Sequence, residues 1–270
     1  MTLSEHLEAQ GLDLQAIVET LEQAAEAAAA ETLPRFRQPL AVDNKWETGF
    51  DPVTEADRGA ERAIRAVIAA RFPQHRIAGE EYGTSGEGRF GWIIDPVDGT
   101  RAFISGVPVW GTLIGFTLDG RATAGIMAQP FTGETFLGTG ETAFWRRGTE
   151  RLTLKVSGRT ALAQARLATT TPAILSKTGH RERYDRLEAA CLQVRYGLDC
   201  YGYCLLAAGH LDLVVETGLQ AYDIAALLPI IEGAGGAVSA FDGSRPDEGG
   251  TIVAAASPEL LTAALEYMAD

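Results

Sequence analysis

The chain is 270 residues long, with 46% hydrophobic and 22% charged residues, a balance that excludes wholesale disorder and provides for a sizeable core. Acidic residues outnumber basic ones 36 to 23, a formal charge of −13, which argues against a basic face that coats nucleic acid. At roughly 150 residues per domain, the length fits one large domain or two fused halves.

Residues 4–30 are rich in Leu, Ala, Glu and Gln and read as one or two helices, with Gly11 as the break. Residues 42–52 read as a polar loop ending in Asp51-Pro52. Residues 54–71 read as an amphipathic helix with Ala60, Ala63, Ile64, Val67 and Ile68 on one stripe, closed by Phe72-Pro73. From Gly91 onward, short apolar runs separated by Gly, Asp and Pro predict strands at 92–94, 110–116, 122–128, 135–137, 143–146 and 152–156. Their spacing suits an antiparallel meander. The remainder alternates, with strands expected at 166–169, 193–196, 211–216, 237–239 and 251–255. Helices are expected between them at 181–192, 201–208, 223–232 and 258–268. The change of texture near 145–160 divides the chain into an α+β half, 1–150, and an α/β half, 151–270. No long linker separates them, so the halves are expected to pack intimately in layers.

Cys191, Cys200 and Cys204 are too few for a disulfide framework and fit a reducing compartment as buried, inert thiols. No basic-then-apolar leader opens the sequence and no apolar run reaches the ~18 residues of a membrane span. The expectation is therefore a cytoplasmic protein without membrane or nucleic-acid partners. His6, His75, His180 and His210 are scattered and show no metal-ligand spacing.

The chemistry concentrates in acids. Gly79-Glu80-Glu81 precedes Trp92-Ile93-Ile94-Asp95-Pro96-Val97-Asp98-Gly99-Thr100. An apolar strand delivers Asp95 at its end, Pro96 stiffens the turn, and Asp98 and Gly99 lead into a short helical segment at 100–104. Asp95 and Asp98 then point into one cleft, beside Gly99 and Thr100, whose backbone N–H groups offer an anion cradle. Acids beside an anion cradle make sense with cations between them, and hard oxygen donors suit Mg²⁺. Each residue alone also has a structural reading. Asp98 fits a turn, Asp57 fits a capping box with Thr54, and Asp223 fits a first-turn acid that stabilises a helix dipole.

Together these elements resemble the Mg²⁺-dependent, lithium-sensitive inositol monophosphatase family. The motifs that carry the resemblance are Thr54-x-x-Asp57, Gly79-Glu80-Glu81, Trp92-x-x-Asp95-Pro96-Val97-Asp98-Gly99-Thr100 and Tyr222-Asp223-Ile224-Ala225, with the run 232–236 after them. The resemblance implies a mixed α/β fold, a layered α/β/α/β/α sandwich, and a homodimer. It also implies that Glu80, Asp95 and the Val97 carbonyl hold one Mg²⁺, that Asp95, Asp98 and Asp223 hold a second, and that Asp57 helps with a weaker third. Mn²⁺ is an expected substitute. Glu80 and Thr100 are expected to position the attacking water, so that the first half carries most ligands and the second completes the site.

Within that family, 100–106 and 108–114, together with Tyr196-Gly197-Leu198-Asp199-Cys200-Tyr201, resemble the histidinol-phosphate phosphatase branch. The resemblance places Gly197 to Cys200 on the alcohol side of the pocket, with Glu216 as a polyol-contacting acid and Gln220 on the adjoining loop. Gly99, Thr100 and Arg101 face the phosphate, although Arg101 fits a subunit contact or a surface ion pair equally well. Histidinol phosphate carries cationic groups that Asp199 and Glu216 suit, as buried cations need partners. Asp199 fits equally a cap for the helix expected at 201, and Trp110 reads as core. Inositol 1-phosphate, or another sugar or polyol phosphate, is the alternative small-molecule substrate.

Rival classes fit less well. A phosphoaspartate mechanism wants Asp-x-Asp, whereas Asp95 and Asp98 have two residues between them. The run 138–143 matches a loose dinucleotide fingerprint, but Phe144-Trp145-Arg146-Arg147, directly after it, reads as strand more than helix. A non-catalytic metal- and anion-binding module is expected to have lost ligands that this chain retains.

Overall fold

Capping starts the two N-terminal helices of the computed structural model, which describes residues 2–39, 42–44 and 52–268. Thr2 opens α1 (Leu3–Glu8) and Asp13 opens α2 (Leu14–Thr32), so the stretch expected at 4–30 is two helices broken around Gly11. β1 (Asp43–Asn44) pairs with β2 (Pro52–Val53). Of the loop expected at 42–52, residues 45–51 lie outside the described residues. Thr54 and Asp57 form a capping box at the start of α3 (Glu55–Arg71), and Phe72, preceding Pro73, leaves helical geometry at φ −130° and ψ 64°. The expected stripe packs inward: Ala60, Ile64 and Ile68 are fully buried against Ile17, Leu21, Ala24 and Ala28 of α2.

Beyond α3 the chain builds two larger sheets. The first comprises β3 (Arg76–Gly79), β4 (Gly83–Ser85), β5 (Phe90–Asp98), β6 (Gly111–Leu118), β7 (Arg121–Gln129), β8 (Glu134–Gly138), β9 (Ala143–Arg147) and β10 (Glu150–Thr153), with the short helix α4 (Thr100–Ile104) between β5 and β6. Its order is β10-β9-β8-β7-β6-β5-β3-β4. The run from β5 to β10 is the expected meander, whereas β3 pairs parallel to β5. Sequence patterning missed β3 and β4: β3 buries only Ile77, and β4 is exposed throughout. The strand expected at 152–156 ends at Thr153. Beyond it, Leu154 N–H donates to Ala143 O and Val156 N–H to Ala234 O.

The second sheet has the order β12-β11-β13-β15-β14, with β11 (Arg166–Thr169), β12 (Gln193–Tyr196), β13 (Leu213–Gln220), β14 (Ala237–Ser239) and β15 (Gly249–Ala255). Its helices are α5 (Pro172–Lys177), α6 (Arg181–Ala190), α7 (Asp199–Ala207), α8 (Ala221–Ile224), α9 (Leu227–Gly233) and α10 (Pro258–Met268). The helix expected at 223–232 is therefore two short helices, and α5 was not anticipated. Helices α2 and α3 cover one face of the first sheet, α7 to α9 lie between the sheets, and α5, α6 and α10 cover the far face of the second. The fold is thus mixed α/β in five layers, α/β/α/β/α, as expected.

One feature sets the spacing of the central layers. Gly115, Gly125 and Gly138 are direct partners across β6, β7 and β8. A Cβ on Gly125 would overlap the backbone of Ala226, and one on Gly138 would overlap Pro229 and Ile230. This glycine row lets the segment that leads from α8 into α9 lie directly on the sheet.

Candidate active site

Alternation along a strand places residues three apart on opposite faces. Asp95 and Asp98 escape that rule because β5 carries an irregularity. Asp95 opposes Leu113 and Asp98 opposes Gly111, so three steps on β5 match two on β6. Pro96 sits in this bulge, where its missing N–H is tolerated. The strand thus runs through to Asp98 rather than ending at Asp95, and the bulge turns both acids toward one cleft. Asp223 arrives from the helical layer between the sheets, in the first turn of α8, where it accepts from Gln220 N–H at 2.6 Å. Oxygens of Asp95, Asp98 and Asp223 lie within 4.8 Å of one another.

The surrounding contacts hold this cluster. Asp95 accepts from Val97 N–H at 3.1 Å, and Asp98 accepts from Cys200 N–H at 2.8 Å. Thr100 Oγ1 lies 3.1 Å from the Val97 carbonyl and 3.3 Å from Asp57 Oδ1. Asp57 accepts from both the N–H and the hydroxyl of Thr54, so its capping role and its contact with Thr100 coexist. Gly99 is left-handed at φ +77°, and a Cβ there would press on Asp199 at 3.1 Å. A cleft of about 270 Å³ is lined by Glu80, Asp95, Val97, Asp98, Gly99, Thr100, Arg101, Thr170, Asp199, Gly218 and Asp223.

A second cavity, about 200 Å³, shares Asp98, Thr170, Asp199, Gly218 and Asp223 with the first. Glu216 and Tyr203 stand on its wall, and no Lys, Arg or His occurs among its described lining residues. Glu216 accepts from Thr170 N–H at 2.8 Å, from Thr170 Oγ1 at 2.6 Å and from Tyr203 OH at 3.2 Å. Asp199 is the first residue of α7 and has φ +46°; Leu198 occupies the cap position, so Asp199 does not cap the helix. Gly197 and Gln220 line neither cavity. Gly197 is pinned by its N–H to Thr170 O, and Gln220 is turned to cap α8. Thr170 was missed, because a threonine run at 169–171 after a strand carries no chemical signature. Trp110 is core, as expected, and Cys200 and Cys204 are buried, with their thiols pushed up by burial.

A larger cavity, about 430 Å³, lies elsewhere, between α7 and β8 to β10. Its wall is largely apolar, and its acid, Glu134, accepts from Tyr201 OH at 2.7 Å and Trp145 Nε1 at 3.0 Å. It brings no carboxylates together, so the smaller acidic cleft is the candidate active site.

Burial, then the charges of Glu80, Asp98 and Asp223, raises the Asp95 carboxyl well above the usual range. Burial, then Asp199 and Asp223, does the same to Asp98, and burial pushes Asp223 up to about 7. Repulsion of this kind marks a place built for cations. It also fixes a sign. Acids with a folded pKa above the unfolded one bind extra protons when folded, so their contribution to stability is full below about pH 4 and is lost as pH rises through about 7. Asp212 does not compete in that range. Burial pushes it up, but hydrogen bonds from Arg166, Ser157 and Arg159 outweigh this and hold it at about 2. Protein treated with EDTA is therefore expected to melt at a higher temperature at pH 5.5 than at pH 7.5, and Mg²⁺ should reverse the order. Calorimetry at the two pH values checks this; a chelated sample that gains stability with pH contradicts it.

Two β-sheets with a layer of helices between them, and an acidic cleft where β5 meets α8, fit the metal-dependent phosphatases. The chain belongs to the inositol monophosphatase family, whose model matches residues 13–269. It is 36% identical to a histidinol-phosphatase of Chlorobaculum parvum over 86% of this chain and 87% of that protein. It is 38% identical to the bifunctional phosphatase IMPL2, chloroplastic, of Arabidopsis thaliana, over 78% of this chain but only 60% of that protein. A solved inositol monophosphatase from Zymomonas mobilis is 38% identical, superposes with a TM-score of 0.83, and covers 94% of this chain and 98% of its own. Other relatives are named inositol-1-monophosphatase and Nus factor SuhB. Among the described residues, no helix is long and apolar enough to cross a membrane.

Proposed function

We propose that the protein hydrolyses L-histidinol phosphate to L-histidinol and phosphate in a Mg²⁺-dependent reaction, with inositol 1-phosphate as the second candidate substrate. The observation that carries the reading is the continuity of the two cavities: the cation-type cluster at Asp95, Asp98 and Asp223 opens into a space whose ionisable lining is acidic. A substrate with an ammonium and an imidazole beside its phosphate matches both parts, and a neutral polyol has no need of Asp199 and Glu216 together. The histidinol-phosphatase name among the relatives supports the same choice.

The donor set fits Mg²⁺, being hard carboxylate and carbonyl oxygens in a water-accessible cleft. Glu80, Asp95 and the Val97 carbonyl would hold one ion, Asp95, Asp98 and Asp223 a second, and Asp57 would assist a third. Mn²⁺ is a substitute. When bound, the cations acidify water and stabilise charge on the phosphate oxygens during in-line attack. The single proton of Thr100 Oγ1 is committed to Val97 O or Asp57, so the hydroxyl oxygen is left to accept from the attacking water. Glu80 flanks that water on the other side. Gly99 and Arg101 face the phosphate, and Asp199 and Glu216 hold the cationic alcohol. The proposal includes a homodimer, the state the family resemblance implies.

Steady-state kcat/KM for histidinol phosphate, inositol 1-phosphate and fructose 1,6-bisphosphate, measured side by side with and without Mg²⁺, tests the reading. Histidinol phosphate is expected to lead by at least tenfold. Asp199→Asn is expected to lower kcat/KM for histidinol phosphate by ten- to a hundredfold, about 1.4 to 2.7 kcal/mol, and that for inositol 1-phosphate by under threefold. Equal losses on the two esters remove the reason for preferring the amine.

A further inference from the structure

We propose that Glu61, a residue of α3 outside both cavities, is a positioning residue that sets the place of Glu80. This inference rests on the reading of Glu80 as a cation ligand.

Glu61 has no exposed surface, which is rare for an acid and calls for partners. Its partners are backbone groups of the β3–β4 turn that carries Glu80. Oε2 accepts from Glu81 N–H at 2.7 Å, and Oε1 accepts from Tyr82 N–H at 3.2 Å and from Arg65 Nε at 2.7 Å. Arg65 continues the brace, donating to Ser85 Oγ at 3.0 Å and to the Gly83 carbonyl. On the other side, Glu80 N–H donates to Ile94 O at 3.2 Å, which extends the β3–β5 ladder.

Glu80 is thus gripped from two directions. The ladder ties its own N–H to the strand that carries Asp95, and the Glu61 carboxylate ties down the next two N–H groups. Gly79 completes the arrangement, because a Cβ there would overlap the Glu61 carboxylate. A tight turn needs acceptors for its inward N–H groups, and a charged acceptor forms shorter, stronger bonds than a neutral one. A carboxylate takes donors on both oxygens, and this one serves three. Groups behind a metal ligand hold it in register, and their loss commonly weakens metal binding ten- to a hundredfold.

The experiment measures binding of Mn²⁺ alone, without substrate, by the electron paramagnetic resonance of the free ion. Wild type, Glu80→Gln, Glu61→Gln and Arg65→Gln are compared. Glu61→Gln places an amide donor against donors, and its Mn²⁺ affinity is expected to fall at least tenfold. Arg65→Gln, which keeps the carboxylate but removes its brace, is expected to lose about threefold and provides the test should Glu61→Gln not fold. In Mg²⁺ titrations of activity, saturating Mg²⁺ should restore kcat of Glu61→Gln to within threefold of wild type, a recovery that general destabilisation does not produce. A folded Glu61→Gln, or failing that a folded Arg65→Gln, that binds Mn²⁺ as wild type overturns the inference while Glu80→Gln still shows the loss. If Glu80→Gln also binds normally, the ligand reading of Glu80 falls, and this inference with it.

Discussion

Asp95→Asn is expected to lower kcat/KM at least a thousandfold, about 4 kcal/mol of transition-state stabilisation, while raising the melting temperature of the chelated protein. Both effects have one origin. Asp95 is 3% exposed, and its carboxyl is raised by burial and then by Glu80, Asp98 and Asp223. An amide of the same shape still accepts from Val97 N–H, so the bulge in β5 survives. It removes one charge from a repelling group, which relieves the metal-free fold, and it removes the oxygen shared between the two proposed ion positions. Kinetics at saturating Mg²⁺ and melting in EDTA, with and without added Mg²⁺, read the two effects separately. Wild type should gain stability from Mg²⁺ by mass action, and the variant should gain far less. Near-normal turnover in Asp95→Asn contradicts the ligand assignment.

Gly125→Ala is the largest expected loss of stability, about 3 kcal/mol, from a single methyl group. The new carbon would occupy space held by the backbone of Ala226, and backbone moves only by carrying its helix with it. The neighbours across the sheet, Gly115 and Gly138, close off a sideways escape, since Ala225, Pro229 and Ile230 sit on them in the same way. The lifted segment begins just after Asp223, so activity should fall with stability rather than independently of it. Urea unfolding gives the first quantity and phosphate release the second. A variant within about 0.5 kcal/mol of wild type shows that the helix is not seated on the glycine row.

Legibility tracked the kind of signal each element carries. The stripe of α3 and the meander were readable because periodic burial writes itself into residue type: Ala60, Ile64 and Ile68 in one case, and the apolar runs of β5 to β9 in the other. Strands β3 and β4 were not, since β3 buries only Ile77 and β4, Gly83-Thr84-Ser85, carries no apolar side chain. The helix expected at 223–232 split in two because local propensity does not register the turn that lays Ala225 and Ala226 on the glycines. At the site, acids in a known order pointed to the cleft, yet the bulge that turns Asp95 and Asp98 the same way is a matter of register with β6. Thr170 and Glu61 left no trace in the sequence pattern because their roles depend on groups far along the chain, Glu216 and the turn at 80–82. Asp57 shows the limit of reading one residue at a time, since capping α3 and touching Thr100 are the work of opposite oxygens.

The three converging acids are drawn from β5 of the first sheet and from α8 in the helical layer between the sheets. Neither stretch alone assembles the constellation, so turnover doubles as a readout of completed folding. On the proposed ligand assignment, the site is incomplete until residue 223 has emerged and α8 has docked, so a shorter nascent or clipped chain is expected to be inactive.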